Sequence, residues 1–182
     1  TWLTEVVETK DFGSHTFRVS GDGFWQVHRD APATLVDAVC SALDVQPGQV
    51  VADLYAGAGL FSKFLADAVG EDGVVLSVEA SPGASRDARK NLHDQKQAYV
   101  INGLTDRIIG SWLQRPDAPL ENGGLDGRRV DAVVLDPPRA GAGRATITRI
   151  HQLAAEKIVY VSCDPASFAR DTKWLIEHGW EI

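Results

Sequence analysis

The sequence predicts an α/β fold: a doubly wound, mostly parallel sheet preceded by a short β-hairpin and a helix. Three observations carry this. Strand-like and helix-like segments alternate strictly from residue 50 onward. The strand-like segments are apolar on both faces, as expected when helices cover both sides of a parallel sheet. The first of them runs into a Gly-x-Gly turn that opens a helix, a pattern of nucleotide-type sites in such sheets.

The elements follow in order. Residues 2–8 (WLTEVVE) and 15–20 (HTFRVS) are rich in Thr, Val and aromatics on either side of a Gly-containing turn, and read as the hairpin. Gly21, Asp22 and Gly23 form a second turn. From Asp30 to Leu43 the residues Ala31, Leu35, Ala38, Val39 and Ala42 recur at helical spacing, with Pro32 in the first turn. Pro47-Gly48 breaks the chain. Strands are then expected at 50–55, 74–79, 98–101, 130–136 and 157–162. Helices are expected at 59–69, 81–94, 104–113, 145–155 and 166–179. Residues 115–129 form a Pro/Gly/Asp-rich loop, and Trp180–Ile182 read as a strand at its start. Residues 1–28 are read as a hairpin and linker segment, and 29–182 as the ligand-binding domain.

Composition bounds the function. The 182 residues suffice for one buried core, with 44% apolar and 24% charged residues. No run of 18 apolar residues exists, so no membrane helix is expected, and no signal peptide is visible. Two cysteines, Cys40 and Cys163, are too few for a disulfide scaffold, and no C-x-x-C metal spacing occurs. A reducing, cytoplasmic setting fits. A net charge of -7 argues against a domain that grips nucleic acid by charge alone. A start at Thr1 and the lack of any methionine suggest a piece of a longer protein. No protein partner can be inferred.

Ligands of such sheets bind at the carboxyl ends of the strands. The first strand ends in DLYAGAGLF, Asp53 to Phe61, where Gly57 and Gly59 permit a tight turn and close backbone approach to a ligand. The second strand ends in Glu79, about 20 residues on, where an acidic side chain commonly binds ribose hydroxyls. Singly these are a turn and a solvated strand end; together they point to an adenosine-containing cofactor. Ser62 stands where a dinucleotide fingerprint needs its third glycine.

Two further strand ends carry reactive chemistry. LDPPRAGAG, Leu135 to Gly143, contains two prolines that lock the backbone around Asp136. Arg139 follows and can bind a phosphate or carboxylate. YVSCDPASFARD, Tyr160 to Asp171, puts Cys163 just before a helix that Asp164 or Ser167 can cap. The positive end of that helix favours a thiolate, and Asp164 opposes it. Cys40 lies beside the apolar face of the first helix and reads as a core residue.

DLYAGAGLF, VEAS, LDPPRAGA and YVSCDPASFARD, in this order, closely resemble the RNA uridine-C5 methyltransferases. FWQVH, Phe24 to His28, resembles their short upstream motif, and the resemblance covers nearly the whole chain. It implies a Rossmann-like class I methyltransferase domain. It also implies an S-adenosylmethionine cofactor contacted by Gln26, Tyr55, Glu79 and Asp136, with Gly57 and Gly59 shaping the loop. Cys163 would be the nucleophile, and a uridine of tRNA or rRNA the substrate. The sequence departs from the family at His28 (usually Asn), Ala56 (usually Cys), Leu60 (often Asn) and Asp164 (usually Asn). The family's catalytic base is a glutamate C-terminal to the last strands. It is expected beyond Ile182, since Glu177 and Glu181 match no motif. The family's amino-terminal RNA-binding barrel and any iron–sulfur cysteines are absent, so the chain is expected to bind cofactor without turning over.

Four alternatives are distinguishable. Cytosine-C5 enzymes carry a second cysteine in the fourth-strand motif, which here reads DPPR. Adenine-N6 enzymes use a DPPY-like loop without a cysteine nucleophile. A nicotinamide oxidoreductase lacks support from the missing third glycine, and a non-catalytic RNA-binding module has no need of Cys163.

Overall fold

The computed structural model describes residues 2–182. The hairpin pairs β1 (Trp2–Glu8) with β2 (Ser14–Ser20) in antiparallel register, Trp2 opposite Ser20 and Glu8 opposite Ser14. Period-2 alternation sends Val7, Phe17 and Val19 inward and leaves Trp2 and Val6 exposed. Helix α1 (Ala31–Leu43) starts with Pro32 in its first turn and ends at Asp44 in the left-handed region.

The alternation then unfolds as predicted. β3 (Val50–Leu54), α2 (Leu60–Val69), β4 (Val74–Glu79), α3 (Pro82–Asn91), β5 (Ala98–Asn102) and α4 (Thr105–Gln114) form the first half. β6 (Ala132–Leu135), α5 (Arg144–Gln152), β7 (Lys157–Tyr160) and α6 (Pro165–Glu177) form the second. The five strands are all parallel in the order β5-β4-β3-β6-β7. The chain winds outward from central β3 to one edge, then returns to build the other. Within the expected loop 115–129 a single 3-10 turn forms at Leu120–Asn122.

Central β3 explains the apolar strands. Val50, Ala52 and Leu54 face a core with Ile109 and Trp112 of α4, Ile147 and Ile150 of α5 and Leu175 of α6. Val51 faces the other core, made by Val36, Val39 and Leu43 of α1, Phe61, Phe64 and Leu65 of α2, and Val7 and Phe17 of the hairpin. The hairpin is therefore packed into the domain. Asn91 of α3 accepts the Arg18 N–H (2.9 Å), and Asp87 accepts both the N–H and the hydroxyl of Ser20.

One expectation fails. Trp180–Ile182 join no strand. Gly179 takes a positive φ of 92° and the Trp180 N–H turns back to the Leu175 carbonyl, closing α6. The Trp180 indole N–H then donates to His151 (3.0 Å), so the residue seals the helix ends instead of extending the sheet.

Candidate active site at the carboxyl end of the sheet

Parallel strands end together, so the turns after β3, β4, β6 and β7 share one edge of the domain. After β3, Tyr55 adopts a positive φ of 60° and Gly57 and Gly59 adopt 57° and 89°. A Cβ on Gly57 would meet nothing within 4 Å, so the turn leaves open space above it. Glu79 braces this turn: it accepts the Gly57 N–H (2.8 Å) through one oxygen and the Ser81 N–H (2.7 Å) through the other. Each oxygen keeps a free lone pair for a further donor.

Beneath the turn lies a carboxylate to which the sequence analysis gave no role. Asp53, fully buried in apolar β3, accepts the Ser62 hydroxyl at 2.6 Å, and Ser62 lies 2.9 Å from the Ser77 hydroxyl. Its other oxygen, Oδ1, has no partner among the described residues. Burial, then the charges of Asp136 and Glu79, push its carboxyl up to about 7, against the pull of Ser62. An acidic residue inside an otherwise apolar strand was the available signal.

Asp136 follows β6, half-buried, its carboxyl pushed up to about 6 by desolvation. Tyr55 is also half-buried, and burial pushes its phenol up, against a smaller pull from Thr146 and Thr105. Gln26 lies half-buried in the irregular segment after the hairpin, and its side chain makes no hydrogen bond among the described residues. Its neighbour Trp25 anchors that segment on Phe17, ring centroids 5.4 Å apart.

Cys163 is exposed, whereas Cys40 is buried in α1 and pushed up to about 12 by burial, as its core assignment requires. Of the two capping candidates, Asp164 is the cap: it accepts the Ser167 N–H at 2.8 Å. That bond holds the Asp164 carboxyl below the usual range, with a smaller contribution from Arg139, whose Nε lies 3.7 Å away. The ion pair joins the DPPR loop to the cysteine turn. A hollow of about 370 Å³ opens beside it, lined by Tyr160, Ser162, Cys163, Pro165 and Phe168. A groove of about 450 Å³ at the opposite sheet edge, between β5 and Leu120–Gly123, contains none of the predicted residues. No group of three or more His, Cys, Asp or Glu suited to a metal ion occurs among the described residues. Nor is any described helix long and apolar enough to cross a membrane.

Gly57, Glu79 and Tyr55 thus surround one turn, and Asp136, Arg139 and Cys163 occupy the neighbouring strand ends. Residues 2–178 match the family described as tRNA (uracil-5-)-methyltransferase. An uncharacterised RNA methyltransferase from Streptomyces coelicolor is 42% identical over 167 residues, 92% of this chain and 34% of that protein. A 23S rRNA (uracil(1939)-C(5))-methyltransferase from Psychrobacter arcticus is 36% identical over 171 residues, 92% of this chain and 31% of its own. The chain therefore spans about a third of the length of these relatives. Among solved structures, Aeropyrum pernix fibrillarin with bound S-adenosyl-L-methionine superposes with a TM-score of 0.60 at 16% identity, over 99% of this chain and 92% of its own. That likeness concerns the fold.

Proposed function

Because the chain belongs to the tRNA (uracil-5-)-methyltransferase family, we propose that it is the catalytic domain of an enzyme that methylates carbon 5 of a uridine in tRNA or rRNA, using S-adenosylmethionine. The observation that carries this is the exposed Cys163 beside the DPPR loop, at the sheet end that also holds the glycine turn. We read residues 1–28 as a hairpin and linker segment and 29–182 as the cofactor domain, working in the cytoplasm.

The residues suit that cofactor. Open space above Gly57, free lone pairs on Glu79 and the orphaned buried oxygen of Asp53 match a ligand rich in hydroxyl and ammonium donors. Glu79 would take the ribose hydroxyls. Gln26, Tyr55 and Asp136 would contact the remainder, with the Asp136 carboxylate facing positive charge. S-Adenosylmethionine supplies an electrophilic methyl group on a sulfonium.

Carbon 5 of uracil is too weak a nucleophile to take that methyl unaided. The Cys163 thiolate adds to carbon 6, forming a C–S bond and moving the electron pair onto carbon 5 as an enolate. Carbon 5, so activated, would take the methyl group that bound S-adenosylmethionine would supply, the electrons of the sulfonium C–S bond staying on sulfur. A base then removes the carbon-5 proton, the carbon 5–carbon 6 double bond reforms and the Cys163 thiolate leaves. Glu177 ends α6 roughly 18 Å along its axis from Pro165, too far from Cys163 to be that base.

The test is intact mass after mixing the protein with S-adenosylmethionine and a short RNA containing 5-fluorouridine. Fluorine on carbon 5 cannot leave as a proton, so the adduct accumulates. An adduct that needs both cofactor and Cys163 is the expected result. An adduct that survives Cys163→Ala overturns the assignment of the nucleophile.

A further inference from the structure

The Asp136–Gly143 loop and the Cys163 turn belong to different strands, yet the chemistry needs them at a fixed separation. We propose that Asp171 is the positioning residue that sets this separation, by clamping loop, strand β7 and helix α6 on one buried carboxylate. The inference rests on the reaction assigned above.

Asp171 lies in α6, its side chain 1% exposed. Its Oδ2 accepts the Ala142 N–H at 2.8 Å and the Gly143 N–H at 3.4 Å, which grips the far end of the DPPR loop. The same oxygen accepts the Tyr160 hydroxyl at 2.7 Å. Tyr160 stands in β7, three residues before Cys163. The other oxygen, Oδ1, accepts from Arg170 at 3.1 Å, and Arg170 also donates to the Ala140 carbonyl at 2.7 Å. The loop is thus held by its carbonyl at 140 and its amides at 142 and 143.

The approach is close by construction. Gly141 sits at a φ of 83°, and a Cβ there would lie 2.7 Å from both Asp171 Oδ2 and Arg170 Nη2, and 3.1 Å from Ser167 Cβ. A buried carboxylate with this many donors is strongly directional. It contacts neither the cofactor turn nor Cys163, so its effect passes through the loop and the strand.

Asp171→Asn and Asp171→Ala are the test, read by amide hydrogen exchange, by S-adenosylmethionine affinity and by the rate of adduct formation on 5-fluorouridine RNA at saturating cofactor. Exchange at Ala142 and Gly143 should quicken at least tenfold in Asp171→Ala while β3 and β4 amides are unchanged. The adduct rate should fall by tenfold or more with the cofactor Kd within about threefold, because Gly57 and Glu79 are untouched and Asp136, before the clamped residues, stays tied to β3 through its N–H on the Leu54 carbonyl. Asparagine, which keeps one acceptor oxygen, should fall between wild type and alanine. Unchanged exchange at Ala142 and Gly143 overturns the clamp. Quickened exchange with an unaltered adduct rate overturns the positioning role. A wild-type protein that forms no adduct overturns the assigned reaction instead, and the two failures are told apart by the wild-type lane.

Discussion

Replacing Asp53 with Asn should make the protein more stable at alkaline pH and leave it nearly unchanged in mild acid. The Asp53 carboxyl is raised from 3.8 to about 7 by burial. A group raised in the fold contributes stability that is fully present below its unfolded value and lost as pH rises through its folded one. For Asp53 that window runs from about pH 4 to about pH 7, and the ionised form at pH 8 costs the fold about 4 kcal/mol relative to a permanently neutral side chain. At pH 5 the same comparison gives about 1–2 kcal/mol, since only part of the window has been crossed. Asparagine can still accept the Ser62 hydroxyl. Its amide group, however, would take the place of Oδ1, which has no partner, at a cost of about 1–2 kcal/mol at every pH. The net expectation is near neutrality at pH 5 and a gain of about 2–3 kcal/mol at pH 8, which raises Tm by about 5–10 °C. Calorimetric unfolding of both proteins at the two pH values is the assay. An equal Tm difference at pH 5 and pH 8, or an asparagine variant less stable than wild type at pH 8, would refute the claim that Asp53 is held against its ionisation.

Other expectations follow from the same geometry. Cofactor affinity should decline below about pH 6, by about tenfold per pH unit once Asp136 is protonated, because its carboxyl stands at about 6 and only the anion attracts a sulfonium; titration calorimetry from pH 5 to 8 reads this, and a flat profile removes Asp136 from the contact. Gly141→Ala should cost about 2–3 kcal/mol through its positive φ and the 2.7 Å contacts with Arg170 and Asp171; a denaturant midpoint equal to wild type would contradict the close packing of loop on α6. Iodoacetamide should label one thiol of the native protein, Cys163, and reach Cys40 only on unfolding, since one is exposed and the other buried; mass mapping of two labels on native protein would be the contrary result. Cys163→Ala should leave Tm within about 1 °C, as expected of an exposed side chain, while abolishing the adduct; a larger drop on calorimetry would give Cys163 a structural role.

The sequence carried the sheet well because β3, β4 and β6 are apolar on both faces and each is followed by a helix with its own punctuation. Pro47-Gly48, Ser81-Pro82 and Asp164-Pro165 all stand at boundaries seen in the fold. Strand order required tertiary pairing, which periodicity does not contain. Trp180 illustrates the limit: an apolar, aromatic ending looks like a strand until Gly179 turns it back onto His151. The glycine turn and the place of Glu79 at the next strand end were legible because both are local patterns at fixed spacing; that Glu79 accepts the Gly57 and Ser81 N–H groups was not. For Asp53 the one local signal was an acid inside an apolar strand, and for Asp171 there was none, because what distinguishes them is burial and the convergence of donors from other segments: Ser62 for one, Ala142 and Tyr160 for the other.

The exposed flank of β7 has a consequence for anything that docks there. Its residues are only partly covered, and β6 pairs with it on one side only among the described residues. A row of unsatisfied backbone groups is a template for another strand. Since successive side chains of an added strand point to opposite faces, a shift of one residue in its pairing would exchange which of them lie on the α6 side of the sheet and which on the α1 side. Parity, more than affinity, would decide which side chains such a strand presents to each face.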